Sequence, residues 1–322
     1  MKITIIGSYN LADGYLGGAI ALEKIGYDIS FIPATRYRNE NTYTEHVNKI
    51  ISDLKLLNPD IVLWWSGETV LPSDVICVKE SVKKPFLMFT WDVFGMHNNI
   101  SKDSYDIVFA CSKDSVERFS KFNVKSVYNL PGFDPNVHFP EYDEKYISDV
   151  SLVCTNLYST GFDQYKHIYR KELIDNIITN APEIDFKLYG SESFKTIYPE
   201  QYSGWINFVD AHKVFYNSKI SISTHIQLDS YMYLNERVPQ ILGSEGLLLV
   251  DNVSGIDQIL DVKTECVVMD YSSGDSLIKQ LRSILNNYDK YKDIRKNGRK
   301  KALEKLTWDN WAKTIQNTLN DI

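Results

Sequence analysis

Long apolar runs are missing from this 322-residue sequence: nothing approaches the ~18 to 20 consecutive apolar residues that a membrane-spanning helix needs. Paired cysteines are missing too. Cys77, Cys111, Cys154 and Cys266 stand far apart in apolar stretches with no C-x-x-C, which favours reduced core thiols over a disulfide or zinc site. The six His show no H-E-x-x-H or similar ligand spacing, so a bound metal has little support. An excess of positive charge is lacking as well. With 35 Lys and Arg against 42 Asp and Glu the net charge is -7, which disfavours a nucleic acid held through its phosphates. The apolar run from Met1 to Gly7 is too short for a signal peptide and reads as a buried first strand, leaving the cytoplasm as the expected location.

What is present is a globular composition, 43% hydrophobic and 24% charged, in a chain long enough that two domains are the default. Short apolar runs alternate with segments of helical period from end to end. This is the pattern of βαβ units around parallel sheets, so the fold class is α/β. In the first half the strands are expected at Lys2 to Ile6, Asp28 to Ile32, Asp60 to Trp64, Phe86 to Thr90, Asp106 to Ala110 and Ser126 to Leu130. Pro131, Gly132, Pro135, Pro140 and the acidic stretch from Glu141 to Glu144 read as a linker. The pattern restarts with strands at Val150 to Cys154, Asp185 to Tyr189, Lys219 to Ser223, Leu247 to Val250 and Cys266 to Met269, and a helix from about Gln164 to Thr179. Leu277, Ile278, Leu281, Ile284 and Leu285 share one helical face, and Thr307 is a good N-cap for a last helix bearing Trp308 and Trp311. The expected units are residues 1–140, residues 141–306, and a terminal helix over 307–322.

In open parallel sheets ligands bind beyond the carboxyl ends of the strands, so candidates belong in those loops. After the first strand, Gly17-Gly18 at the start of a helix would let a phosphate approach free backbone N–H groups; equally, both glycines could serve a tight turn and close helix packing. The loop has neither G-x-x-x-x-G-K-[ST] nor G-x-G-x-x-G, and no acid closes the second strand, which makes an NAD-dependent oxidoreductase the weaker alternative. Trp65-Ser66-Gly67-Glu68 and Thr90-Trp91-Asp92 end the third and fourth strands. Asp92 is the preferred acid-base candidate, with helix or turn capping as the competing reading, and His97 has a weaker claim.

The segment Tyr233-Leu234-Asn235-Glu236-Arg237-Val238-Pro239-Gln240, followed by Gly246, an apolar run and Asp251, is the most informative. It resembles the C-terminal half of the CgeB-like glycosyltransferases, a branch of the GT-B architecture near the group 1 enzymes, which carry N-x-R-x-x-E, small residues, glycine, a strand and Asp. Trp91-Asp92, Leu130-Pro131-Gly132-Phe133-Asp134-Pro135, Leu188-Tyr189-Gly190 and Leu306-Thr307-Trp308 agree in order. The resemblance implies two Rossmann-like domains with a deep cleft, the last helix crossing back to the first domain, and a donor site on the second.

By the same resemblance Arg237 faces the diphosphate of a nucleotide-sugar and offsets the charge growing on the leaving group. Tyr189 and Gly190 lie near the base. Gln240 stands where the family has a ribose-binding Glu, and Met232 where related enzymes have an acid at the donor sugar; Glu236 or Asp229 could substitute. Arg170 resembles a basic position of the family. Gly17, Gly18, Asn235 and Glu236 complete the expected donor contacts. The implied activity is metal-independent transfer of a sugar, from a UDP- or GDP-sugar, to a hydroxyl of a glycan or protein acceptor positioned by Asp92, with domain closure excluding water. No cofactor is implied. A nucleotide-sugar epimerase or phosphorylase of the same fold, or a non-catalytic nucleotide- or sugar-binding module, is the alternative.

Overall fold

The computed structural model describes residues 1–7, 15–34, 36–37, 43–66, 71–90, 100, 102–155, 168–225, 227–273 and 275–321. Contacts divide the chain into two compact units. One comprises Met1–Gly132, Ser230–Asn235 and Trp308–Ile322, the other Phe133–Asp229 and Glu236–Thr307.

The first unit is built on a six-stranded parallel sheet of order β2-β1-β3-β4-β5-β6. Its strands are β1 (Lys2–Gly7), β2 (Asp28–Pro33), β3 (Ile61–Trp65), β4 (Phe86–Thr90), β5 (Ile107–Ala110) and β6 (Lys125–Tyr128), each within two residues of its expected limits. Near-continuous apolar runs suit them because helices cover both faces of the sheet. Side chains alternate between faces along a strand, so the neighbours Trp64 and Trp65 enter different cores. Trp65 joins Ile3, Ile5, Leu63, Phe89 and Phe109 under α1 (Tyr15–Lys24) and the last helix. Trp64 joins Ile6, Val62, Met88 and Val108 under α2 (Tyr43–Leu57), α3 (Pro72–Val82) and α4 (Lys113–Lys121).

The second unit has a five-stranded parallel sheet of order β11-β10-β9-β7-β8. Here β7 is Ser148–Cys154, β8 Phe186–Gly190, β9 Ser218–Ser223, β10 Leu248–Val250 and β11 Val267–Val268. One face carries Val150, Leu152, Leu188, Ile220, Ile222 and Leu249, sealed by α5 (Ile168–Asn180), α6 (Ser193–Ile197) and α9 (Ser276–Asn286). Leu277, Ile278, Leu281 and Ile284 of α9 are buried, as their spacing requires. On the opposite face Ser151 pairs with Ser221, and Tyr189 and Val153 join Tyr146 and Val214 in a small apolar cluster, while at the start of the strands Ser148 pairs with Ser218. Helices α7 (Ala211–Asn217), α8 (Arg237–Gly243) and α10 (Lys292–Lys305) complete the unit.

Three observations differ from the expected organisation. Phe133, inside the stretch read as a linker, already belongs to the second unit: its N–H donates to Leu306 O at 3.0 Å and its ring lies against Gly243. Ser230–Asn235 lies with the first unit, where Tyr231 N–H donates to the Asp114 carboxylate at 2.6 Å, Lys113 N–H to Tyr231 O at 2.9 Å and the Tyr128 hydroxyl to Met232 O at 2.8 Å. Cys77 is exposed and not a core thiol, because the period of α3 turns Asp74, Val75 and Val78 inward and leaves position 77 on the outer side; Cys111, Cys154 and Cys266 are buried thiols. The last helix, α11 (Trp308–Asn320), packs on α1, and among the described residues no helix is long and apolar enough to cross a membrane.

Candidate functional site

At the carboxyl end of the second sheet, β9 finishes at Ser223 and is followed by Thr224 and His225, both buried. Two arginines meet there. Arg170, in the first turn of α5 and only 6% exposed, donates from Nε to Thr224 Oγ1 at 2.8 Å. Arg237, the first residue of α8, donates from a terminal nitrogen to Thr224 O over a long 3.4 Å. Glu236 precedes it with one carboxylate oxygen buried. Residues 67 apart in sequence thus bring two permanent positive charges to one threonine, at the sheet end where strand termini gather ligand contacts.

Beside them, β10 ends at Val250 and Asp251 follows, fully buried. Asp251 accepts twice from one residue: from His225 N–H at 2.6 Å and from ring Nδ1 of the same histidine at 2.5 Å. A carboxylate accepts and does not donate, so Nδ1 carries the proton. Burying such a charge costs several kcal/mol unless it is paired and hydrogen-bonded, which the double contact supplies. Sequence reasoning placed Asp251 in a motif and missed Thr224 and His225 altogether. The available signal was position: both directly follow a strand of the second half.

The other expected residues fall in several places. Gly190 ends β8 with φ 150°, and a Cβ there would lie 1.8 Å from Cys154 O, so only glycine lets β7 and β8 end so close together. The ring of Tyr189 is buried against Tyr146 and Val214, and burial pushes its hydroxyl up to about 12, with the Ser203 hydroxyl partly offsetting this. That ring is part of the core. Gln240 is 7% exposed on α8. Asn235 lies in the first unit while Glu236 and Arg237 lie in the second, so the motif is divided. Met232 has a left-handed backbone, φ 56°.

Gly17 and Gly18 sit inside α1 against tryptophan. A Cβ on Gly17 would come within 2.3 Å of Trp308 Cδ1, and one on Gly18 within 2.7 Å of the Trp65 ring. Of the two roles open to this pair, close packing is the one the geometry displays. Trp91, Asp92 and His97 lie outside the described residues. Among the described residues no group of three or more His, Cys, Asp or Glu could hold a metal ion.

Residues 170–317, which contain Arg170, Thr224, Arg237 and Asp251, match a family model described as glycosyl transferase-like. No curated protein matches the chain in sequence. Solved structures match the chain along its length. Anabaena HepE in complex with UDP-glucose is 12% identical, with 100% of both chains covered and a TM-score of 0.74. Sucrose-phosphate synthase from Thermosynechococcus elongatus is 10% identical over 100% of this chain and 98% of that one, at a TM-score of 0.72. A glycosyltransferase from Rickettsia africae is 13% identical over 99% and 98%, at 0.67. At these identities the likeness fixes the fold, which is GT-B.

Proposed function

We propose that the chain transfers a sugar from a nucleoside-diphosphate sugar to an acceptor hydroxyl, with Arg237 and Arg170 holding the diphosphate. The observation that carries this reading is their meeting at Thr224, at the carboxyl end of β9 and within the glycosyl transferase-like segment. Planar guanidinium groups match phosphate oxygens in geometry, and their charge stabilises the departing nucleoside diphosphate without a metal. The UDP and UDP-glucose bound in the HepE structures favour a uridine donor. Gly190 then borders the base, Gln240 accepts from the ribose through an uncharged amide, Glu236 or Asp229 serves the donor sugar, and Asp92 orients or deprotonates the acceptor hydroxyl. A glycan or protein acceptor and a cytoplasmic site of action fit this reading.

Arg237→Ala tests it. Removing one such donor of charge costs on the order of 10² to 10³ in kcat, so sugar transfer from UDP-glucose or another active donor should fall at least about 10²-fold while the thermal unfolding temperature stays near that of the wild type. A panel of UDP, GDP, ADP, dTDP and NAD in thermal-shift measurements identifies the base, since a ligand bound only by the folded state raises its unfolding temperature. Full activity of Arg237→Ala would remove the diphosphate role. Stabilisation by NAD alone would restore the oxidoreductase alternative.

A further inference from the structure

We infer that Asp251 is a positioning residue for the arginine pair, acting through the single peptide unit that joins Thr224 to His225. The inference rests on the diphosphate reading above, because what is positioned is the proposed phosphate grip. The Thr224 carbonyl and the His225 N–H belong to one planar amide; no peptide bond in the described chain is cis, so the two groups point in opposite directions. On one side the N–H is held by Asp251 Oδ2 at 2.6 Å. On the other the carbonyl receives Arg237 at 3.4 Å. Fixing the N–H therefore fixes the direction in which the carbonyl meets the guanidinium. A carboxylate on the N–H also polarises the amide and makes its oxygen a stronger acceptor.

The ring contact completes the hold. With Oδ1 on Nδ1 at 2.5 Å, one buried carboxylate sets both the backbone and the side chain of His225 and so removes the freedom of the plane to rotate. The chain on either side is tied to the same turn: Asp251 N–H donates to Ser223 O at 3.4 Å, and Ser254 N–H to Leu228 O at 2.8 Å. Thr224 is thereby held by its neighbours while its hydroxyl receives Arg170 and its carbonyl receives Arg237. The hydrogen bonds thus connect the carboxylate to the arginines through one amide and one residue.

Asp251→Asn separates this from a purely structural role. The amide keeps the shape but accepts with one oxygen only, so the backbone and ring contacts can no longer both be made by acceptor atoms. UDP affinity should fall roughly 10-fold while uridine affinity is unchanged, and in an Arg237→Ala background the same substitution should cost less than about twofold, because the group it positions is gone. The KM for the sugar donor should rise more than kcat falls. Wild-type UDP affinity in Asp251→Asn, or an equal loss with and without Arg237, would overturn the inference while leaving the diphosphate reading intact if Arg237→Ala alone weakens UDP. Failure of the wild type to take up any of UDP, GDP, ADP or dTDP would overturn both. If Asp251→Asn does not fold, the His225 amide resonance of the wild type decides: UDP and the Arg237→Ala substitution should each shift it, and a signal indifferent to both would sink the idea.

Discussion

Around α1 and α11 the first unit buries tryptophan and glycine; at the end of β9 the second buries arginine, histidine and aspartate. Both places lie where a sequence reader would look for a ligand, after an apolar strand and at the start of a helix. In the first, the missing side chains of Gly17 and Gly18 are filled by indole rings: Trp65, Trp308 and Trp311 lie 5.2 to 5.7 Å apart between centroids, with Phe89 among them. In the second, charges are retained in the interior at a desolvation cost that packing alone does not explain. Small residues near a strand end are ambiguous. Buried charges that converge on one backbone group are much less so.

The largest effect expected from breaking this contrast is on the first unit. Trp311→Ala removes a ring that is 1% exposed and touches Trp65, Phe89 and Trp308, so a loss of about 3 to 5 kcal/mol is expected. Hydrogen exchange should accelerate in β1, β3 and β4, with the amides of β7 and β9 left protected. Uniform acceleration across both sheets would mean that the two units do not carry separate cores.

A smaller effect sharpens the comparison at its ambiguous point. Gly17→Ala gains roughly 1 kcal/mol of helix propensity, yet its methyl would sit within 2.3 Å of Trp308 Cδ1, and overpacking of this kind costs about 1 to 3 kcal/mol. A lower unfolding temperature with unchanged UDP affinity is the packing outcome. An unchanged unfolding temperature with weakened UDP binding would return Gly17 to the phosphate and erase the distinction drawn between the units.

The same contrast explains what could be read from the sequence. The eleven described strands were legible, the central ones such as β3 and β4 as continuous apolar runs covered on both faces and β9 by its alternating Ile220 and Ile222. Helix α9 was legible because Leu277, Ile278, Leu281 and Ile284 recur at helical spacing. Helix α10 was not: of Lys292–Lys305 only Gly298 and Ala302 are buried, and it docks by polar contacts, Arg295 donating to Glu245 O at 2.6 Å and to Tyr216 O at 2.9 Å and Arg299 to Gly243 O. Carbonyl acceptors have no sequence signature. The site divides in the same way. Arg237 stood in a motif, whereas the pairing of Arg170 with Thr224 and of His225 with Asp251 depends on strand order β10-β9-β7, which brings distant residues together only once the sheet is formed.

The smallest effect concerns a buried group of the second unit that the candidate site does not use. His138 is fully buried, its ring meets Phe208 edge-on at 4.7 Å, and neither ring nitrogen makes a hydrogen bond of good geometry. Burial, with the nearby His212 adding to it, pulls its pKa down to about 3 from the ordinary 6.5, and the backbone of Phe208 and Asp134 offsets this only in part. Above pH 6.5 the ring is neutral whether the chain is folded or not and contributes no pH dependence. As pH falls below 6.5 the unfolded chain takes up a proton that the folded chain refuses, so stability is lost progressively down to the folded value. One pH unit into that window, at about pH 5.5, the loss amounts to roughly 1 kcal/mol. His138→Leu keeps an apolar group of similar bulk and has no proton to refuse, so the wild type should lose unfolding temperature faster than the variant between pH 7 and 5.5. Because Phe133–Asp229 belongs to the second unit, the acid-induced rise in hydrogen exchange should be concentrated there, in β7 and α7. Parallel pH profiles for the two proteins would assign the acid response to other groups and would leave His138 as a packing residue, making the second unit's interior no more pH-sensitive than the tryptophan core of the first.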